Sequence, residues 1–567
     1  MSAEKPMLRV AILVGSESPS TIDAIRAVCT LPRVECAAIL LDTHRSSWKI
    51  RLRNLRKNIR RNGISYPFRR LLGAIRHVVE RQAEAIVPQA EVDALLREAF
   101  PDRDFSFADL SKRFSMPVLE VGSLNSTFAA AKLAELSVDL GVVLGTRVLK
   151  RSTFAQPRLG CINLHKGKVP EYRGMPPGFW ELWDGADTAG VTVHFVDDGL
   201  DTGDIVETAT VEISQFDSEE TLLWKLSDAS IRTLGNAVAS IARGEFKRQP
   251  QPQAEYKARS SPTFLQRRQL ANRLGVSEQN DVVFILKHLN YLILFYSGLY
   301  SFVRLVRRSF GYRATILLYH RVNDWSSDPL TVSLQRFAQH LIVLHKYYNP
   351  VRTADLVDML RGEGTCPPGS VAIHFDDCYR DVYQNGMPLL KASSTPACFF
   401  VNPGYLGTDR RFLHDSRRYP LRYPNLTREE LCDWHQQGFE LGAHTVNHVD
   451  LGVLQGEASR IEVMESKNLL EQTVRAPVLL FSFPYGRPDN ITAENARYVR
   501  EGGFQAMFSA FGGFVSKRTD QFYIPRVGAS GLNLPIRLLM DIEGLTPENI
   551  RLMMKARLSG RPILQTK

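Results

Sequence analysis

Cysteine is scarce, with seven residues (Cys29, Cys36, Cys161, Cys366, Cys378, Cys398 and Cys432) in a chain of 567 and no C-x-x-C pair. An odd, scattered set argues against a disulfide framework and predicts reduced thiols in a cytosolic setting. The opening stretch, MSAEKPMLRVAILVGSESPS, lacks the basic start, longer apolar core and small-residue cleavage site of a secretory signal. No long apolar run is present either. The purest part of 281–310, Tyr291 to Val303, is too short to cross a bilayer core of about 30 Å. After the first strand-like run, GSESPS (15–20) is not a G-x-G-x-x-G fingerprint, so dinucleotide binding gains no support. Internal repeats and low-complexity tracts are missing.

Acid is nearly absent from residues 45–81, where twelve lysines and arginines face one carboxylate, Glu80. Trp48, Leu52, Leu55 and Ile59 recur there at helical spacing, which predicts a basic amphipathic helix. Two uses are open to it: a solvated basic face packed by its apolar stripe, or a surface for an anionic membrane or a phosphate-bearing substrate. Nucleic acid is not expected, because no reading motif accompanies the charge.

What is present is ordinary for a globular protein, 44% hydrophobic and 23% charged, with a net charge of +11. The length exceeds what one hydrophobic core serves and calls for two domains or more. In the first 250 residues RVAILV (9–14), CAAILL (36–41) and DLGVVLG (139–145) alternate with helical stretches, as in a largely parallel α/β sheet. The polar, proline-bearing QPQPQAEYKARSSP (249–262) reads as the exit from that domain. Residues 281–310 follow, rich in aromatics and closed by Arg304, Arg307 and Arg308, which suits either an interdomain packing helix or one lying in a membrane interface. From 313 onward ATILLYH, SVAIHFDD, PACFFV, FELGAHT, VLLFSFPYG and AMFSA announce a second α/β unit.

Two stretches of the first unit carry chemistry: CINLHKGKVPEYRGM (161–175) and GVTVHFVDDGLDTGDIV (190–206). Asn163 and His165 alternate with Ile162 and Leu164, so on a strand they point the same way. Asp201 comes from a loop bracketed by Gly199 and Gly203, where glycine permits tight turns. Amide, imidazole and carboxylate converging on one cleft can transfer an acyl group to an amine. His165 would take the amine proton or polarise the donor, Asp201 would set its charge and orientation, and Asn163 would stabilise the oxyanion. By spacing alone, Asn-x-His on a strand also suits a structural role.

The pattern N-L-H-x(4)-P-x-Y-R-G followed by G-V-T-V-H-x(4)-G-L-D-T-G-D resembles the formyltransferases that use 10-formyltetrahydrofolate, over roughly 1–250. That family includes methionyl-tRNA, glycinamide ribonucleotide and nucleotide-sugar formyltransferases. The resemblance implies Asn163, His165 and Asp201 as catalytic residues. It implies a folate donor lying against Val143, Leu144, Gly145 and Leu149 and against the loop carrying Asp197, Gly199 and Asp204. HKGKVP departs from the family's Ser-Leu-Leu-Pro segment, and the basic stretch 45–81 departs from its compact members. No trailing segment resembles the tRNA formyltransferase's C-terminal barrel, so initiator tRNA is not the expected substrate.

In the second unit IHFDDCYRD (373–381) sets Asp376 and Asp377 side by side at a strand end, where a solvated turn is the plain reading. HTVNH (444–448) places two histidines four apart, able on a helix or tight turn to face one ion. With Asp377 they would form a His₂-Asp site with open positions for Zn²⁺, Fe²⁺ or Co²⁺. Asp376, beside the ion but not bound to it, could then take a proton from water. These motifs, with FSFPYG (481–486), resemble the NodB-type polysaccharide deacetylases (carbohydrate esterase family four) over about 313–530. The resemblance implies Asp376 as base and Asp377, His444 and His448 as metal ligands, zinc being the expected metal. The region of Tyr485 would line the oxyanion position. Cys378 replaces the family glycine and could crowd the metal loop. Ser482 replaces an arginine that tunes the base, a role Arg526 could assume. The late general-acid histidine is missing, and His320 of LLYHRV could protonate the leaving amine, or could be a buried core histidine.

The expected fold is α/β in two domains: an N-terminal Rossmann-like formyltransferase sheet and a C-terminal (β/α) NodB-like distorted barrel. The boundaries are 1–255, a linker with an amphipathic helix at 256–311, the deacetylase at 312–545, and a tail at 546–567. The expected function is a bifunctional cytoplasmic enzyme, peripheral on the inner membrane face if the linker helix docks there. It would formylate a sugar amine and hydrolyse an N-acyl group on a nucleotide-linked or polyprenyl-phosphate-linked amino sugar. The alternative is a one-headed enzyme or scaffold whose deacetylase domain only binds carbohydrate.

Overall fold

Along β1 (Leu8–Val14) successive side chains enter two different cores: Leu8, Val10, Ile12 and Val14 join one, Ala11 and Leu13 the other. A strand buried on both faces belongs to a sheet covered by helices on both sides, and a continuous apolar run is its sequence signature. The computed structural model describes residues 7–45, 47–252, 257–276, 280–310, 314–325, 328–418 and 423–547. The chain divides into two compact units.

In the first unit β1 is joined by β2 (Val34–Asp42), β3 (Val118–Val121), β4 (Leu140–Leu144), β5 (Cys161–His165), β6 (Thr188–Phe195) and β7 (Ile205–Glu212). The order is β3-β2-β1-β4-β5-β6-β7, parallel as far as β5 and antiparallel from β5 to β7. This is the Rossmann-like sheet expected, with an antiparallel edge. The long helix Glu219–Arg243 packs its apolar stripe across β6 and β7, capped at its start by Ser218 and at its end by Gly244 in the left-handed conformation.

The basic stretch forms two helices, Trp48–Asn62 and Tyr66–Glu84. The first buries no residue fully. Residues 71–101 group with the second unit, not the first. There the helix Gln89–Ala99 buries Val92, Leu95 and Leu96 and packs on the helices Leu334–Tyr347 and Met387–Ala392. Arg336 pairs with Glu84 at 2.6 Å. The division by contact therefore differs from the linear boundary at 255. Residues 253–255 at the end of the expected first domain, 256, 277–279 and 311 in the expected linker, and 548–567 in the expected tail lie outside the described residues.

The second unit's strands are β8 (Ala314–Tyr319), β9 (Arg321–Val322), β10 (Thr331–Val332), β11 (Asn349–Pro350), β12 (Ser370–Phe375), β13 (Ala397–Val401), β14 (Glu440–Ala443), β15 (Leu480–Ser482), β16 (Ala506–Phe508), β17 (Phe514–Val515) and β18 (Val527–Gly528). Apart from a β9–β10 pair they form one sheet, β16-β15-β14-β13-β12-β8-β17, with β11 on β12 and β18 on β8. It is a curled half-barrel, parallel except for β17. Parallel strands set their C-terminal ends at one rim, so the residues after β8, β12, β14 and β15 meet there. His320, Asp376, His444 and Phe483 are those residues. The stretch 281–310 is two helices, Asp281–Tyr296 and Leu299–Phe310, bent by 65° at the break. No single helix among the described residues is long and apolar enough to cross a membrane.

Candidate active sites

At the first cluster the antiparallel register β5–β6 sets Asn163 opposite His194 and His165 opposite Thr192. The Asn163 amide lies 3.3 Å from His194 Nε2, and His194 Nδ1 lies 2.8 Å from the carbonyl of Phe195. A carbonyl only accepts, so the proton sits on Nδ1 and Nε2 accepts from Asn163. His194 thus orients the asparagine, a role not read from the sequence although the residue stands in the quoted motif. By the same logic His165 donates from Nε2 to the Tyr172 carbonyl at 2.9 Å. Its open Nδ1 faces Asp201 Oδ2 at 3.7 Å.

Asp201 sits at φ 54°, a left-handed conformation that an aspartate tolerates better than most residues. Its carboxylate accepts from the Gly174 amide at 3.1 Å and stands 3.6 Å from His194 Nε2. Burial pushes the Asp201 carboxyl up, but the two histidines that face it and the Gly174 amide outweigh it, leaving a net depression. Burial holds His165 below its ordinary range, against the pull of Asp201. The loop is tied down by Asp197, which accepts from Thr202 at 2.7 Å and from the Gly199 amide at 3.1 Å. Gly203 is obligatory for space: a Cβ there would lie 1.9 Å from the Phe195 carbonyl oxygen. The next carbonyl, that of Asp204, accepts from the Phe195 amide at 2.8 Å. Of the four residues expected beneath the folate, Val143 and Leu149 are buried in one core and Leu144 in the other, while Gly145 alone is exposed. That stretch therefore offers a donor backbone more than side chains.

At the second cluster His448 Nε2 lies 3.1 Å and His444 Nε2 3.8 Å from Asp377 Oδ1. One ligand atom from each residue falls within 4.8 Å of the others. Bonds of about 2.0–2.2 Å in a tetrahedral site imply ligand separations of roughly 3.4 Å, which these distances bracket. Both Asp377 oxygens are buried and accept no hydrogen bond among the described residues, a costly state for a carboxylate without a cation. The donor set and the orphaned oxygens fit a divalent ion. His444 is oriented for it, donating from Nδ1 to the Ser482 carbonyl at 2.8 Å, and Asn402 donates to the carbonyls of His444 and Thr445. Burial pushes His444 down to about 4, so it presents a neutral nitrogen.

HTVNH is a turn, not a helix. Asp377, Thr445, His448 and Tyr485 all have φ between 53° and 74°. Four non-glycine residues in the left-handed region around one site mark backbone that the surroundings force into place. Cys378 is fully buried and is not among the converging ligand atoms.

Asp376 accepts from both arms of Arg526, at 2.7 and 2.6 Å, and from Ser482 Oγ at 3.2 Å. Burial raises its carboxyl, and the Arg526 charge overcomes this and leaves it depressed. His320 is half-buried and held low by burial, against the charges of Asp377 and Asp376. A further histidine was not foreseen. His414 Nε2 stands 3.7 Å from Asp377 Oδ2 and 2.9 Å from the Tyr379 hydroxyl, its ring 5.4 Å from that of His448. As a lone histidine at the start of the short helix Leu413–Arg418 it carried no spacing signal.

The first cluster brings an amide, two imidazoles and a carboxylate together, and the second could hold a metal ion beside an ionised carboxylate. Residues 92–238 match the family model of formyl transferases, and residues 363–506 that of polysaccharide deacetylases. The chain carries a formyltransferase domain followed by a polysaccharide deacetylase domain, both from families of enzymes. Methionyl-tRNA formyltransferase of Pseudoalteromonas translucida (strain TAC 125) is 31% identical over 147 residues, 26% of this chain and 46% of that one. The chain thus spans about half the length of this curated relative. Among solved structures, the deacetylase PplD of Streptococcus pyogenes is 20% identical over 41% of this chain and 99% of its own, with a TM-score of 0.36. Glycinamide ribonucleotide transformylase 1 of Symbiobacterium toebii is 17% identical over 44% of this chain and 99% of its own, with a TM-score of 0.30.

Proposed function

We propose that the chain is a bifunctional amino-sugar enzyme: it formylates a sugar amine from 10-formyltetrahydrofolate and hydrolyses an N-acyl group on a carbohydrate. The observation that carries this reading is the coexistence of two separately built clusters, Asn163/His165/His194/Asp201 and Asp376/Asp377/His444/His448.

In the first, the folate supplies an activated formyl group. As the amine nitrogen bonds the formyl carbon, the open Nδ1 of His165 takes its proton and Asp201 stabilises the imidazolium. The imidazolium then gives that proton to the folate nitrogen as its bond to the formyl carbon breaks and tetrahydrofolate departs. Asn163, held by His194, donates from Nδ2 to the oxygen on which charge develops. In the second, a divalent ion, expected to be zinc, would supply Lewis acidity. Asp377, His444 and His448 would hold it. Asp376, kept ionised by Arg526, takes the proton of the attacking water, and the departing amine regains that proton by way of His320, which is neutral at rest.

An amide maker and an amide breaker acting on the same bond would cancel. The arrangement we favour removes acetyl from an N-acetyl sugar and formylates the amine exposed, on a nucleotide or polyprenyl-phosphate carrier. The folate donor supports a cytoplasmic setting for this work. Incubating the purified protein with UDP-N-acetylhexosamines and 10-formyltetrahydrofolate should yield free acetate and an N-formyl sugar. No acetate from any nucleotide-linked or lipid-linked acetamido sugar would overturn this order of events.

A further inference from the structure

The polar segment 249–262 reads in the sequence as a mere exit from the first domain, yet it is bonded to the first cluster at two points. At its start Gln249 exchanges backbone hydrogen bonds with Ile205, at 2.8 and 2.9 Å, which lays the chain beside the beginning of β7. Two residues on, the Gln251 side chain donates from Nε2 to two carbonyls, that of Asp201 at 3.0 Å and that of Gly203 at 2.8 Å. Carbonyls only accept, so the amide nitrogen faces the loop and both of its hydrogens are used.

Asp201 is thereby held at both ends. Its carboxylate meets the Gly174 amide, His165 and His194, while its own carbonyl meets Gln251. A non-glycine residue at φ 54° keeps that conformation only where its surroundings over-determine it. Asp197 ties the loop to itself, and Gln251 ties it to a separate segment. The same segment meets the loop that supplies Gly174. The Arg259 amide donates to the Arg173 carbonyl at 2.8 Å, and the Arg259 carbonyl accepts from the Met175 amide at 3.2 Å. Gly174 lies between these bonds, so close that a Cβ there would stand 2.2 Å from the Arg259 carbonyl oxygen. With its neighbours bonded to Arg259, the Gly174 amide is left to donate to Asp201 at 3.1 Å. The next residue is fastened too, since Trp180 Nε1 donates to the Ser260 carbonyl at 3.2 Å.

We propose that Gln251 is a positioning residue of the first site: from the segment that leaves the domain, it holds Asp201 to His165. The catalytic consequence rests on the formyl-transfer reading, whereas the positioning does not. Asp201 raises the affinity of His165 for a proton, while burial and His194 lower it. An Asp201 released from Gln251 and drifting away therefore lets burial carry His165 further down.

Gln251→Met, which keeps the bulk and removes the donor, tests this in the full chain, and Gln251→Ala repeats the test with a different shape. Deuterium exchange at the imidazole C2 position, read by mass spectrometry across pH, reports the midpoint of His165 without any turnover. That midpoint should fall in both variants. With UDP-glucosamine and 10-formyltetrahydrofolate, kcat should drop about tenfold while both KM values hold, because a displaced carboxylate disturbs proton transfer and not binding. Lys225→Met, which breaks the buried pair with Asp217 at 2.6 Å in the same unit, should lower the Tm and leave the His165 midpoint in place. An unmoved midpoint in the two Gln251 variants overturns the proposal. So does an equal fall in Lys225→Met, since general loosening would then account for both. If the unaltered chain transfers no formyl group, the catalytic reading fails by itself, and the His165 midpoint still decides whether Gln251 positions Asp201.

Discussion

Arg526 and Asp376, 150 residues apart in the chain, meet as a buried fork, two parallel N–H donations onto one carboxylate with neither group open to water. Arg526 also donates to the Ser509 carbonyl at 2.7 Å and to Ser482 Oγ at 2.7 Å, so its orientation is fixed on three sides. The serine at 482 makes room for an arginine arriving from another segment, and the carboxylate is paired all the same.

Breaking this pair should cost more than its net worth, because the survivor is a buried charge. Arg526→Met is expected to destabilise the second unit by about 3–5 kcal/mol. Arg526→Lys should cost less while still losing the two-pronged geometry. Urea unfolding of both variants checks this. A loss under about 1 kcal/mol for the methionine variant would mean that Asp376 is not charged in the fold.

Asp201→Asn should reduce formyl transfer by about 10²-fold or more, since the imidazolium on His165 loses its counter-charge. Bound metal, measured by elemental analysis, should stay at the wild-type level. A joint loss of both would contradict two independent sites.

His444→Ala should remove stoichiometric divalent metal, measured on the purified protein, and with it deacylation. Chelation should do the same to the unaltered chain, and formyl transfer should survive both treatments. Metal retained at full stoichiometry in the alanine variant would place the ion elsewhere.

Glu181 yields a stability prediction with a definite sign. It is 1% exposed, its Oε1 has no hydrogen-bond partner among the described residues, and burial pushes its carboxyl up to about 7. Between pH 4.5 and about 7 the folded state keeps a proton that the unfolded state has released, so stability falls as pH rises through that window and levels off above it. The loss is on the order of 3 kcal/mol. Glu181→Gln should flatten this slope and raise the Tm above the parent's at pH 8 but not at pH 4. Parallel Tm profiles for the two proteins would show that Glu181 is not the titrating group.

The convergence of Asp377, His444 and His448 was legible because each motif is local: two adjacent aspartates closing a strand, two histidines in one turn. The convergence of Asn163, His165 and Asp201 was legible through alternation on β5 and the glycines of its loop. His194 escaped because its role depends on strand pairing, which sets it across from Asn163 only once β5 and β6 run antiparallel. His414 escaped because tertiary folding alone carries it to Asp377. Periodicity did announce helices in the basic stretch, but an amphipathic pattern says that a face is covered and not by what. Nothing in Val92, Leu95 and Leu96 indicated that their cover would come from helices more than two hundred residues later.

That last fact bears on how the protein is made. Synthesis runs from the N-terminus, so the helix Gln89–Ala99 leaves the ribosome long before Leu334–Tyr347 and Met387–Ala392 exist to bury it. For that interval the nascent chain carries an uncovered apolar helix in the midst of a sheet it does not belong to. The path leaves the first unit near 70, returns near 101 and departs again near 278. A single proteolytic cut between 249 and 262 would therefore not release two free enzymes, and a message truncated there would encode a domain with a stranded hydrophobic arm.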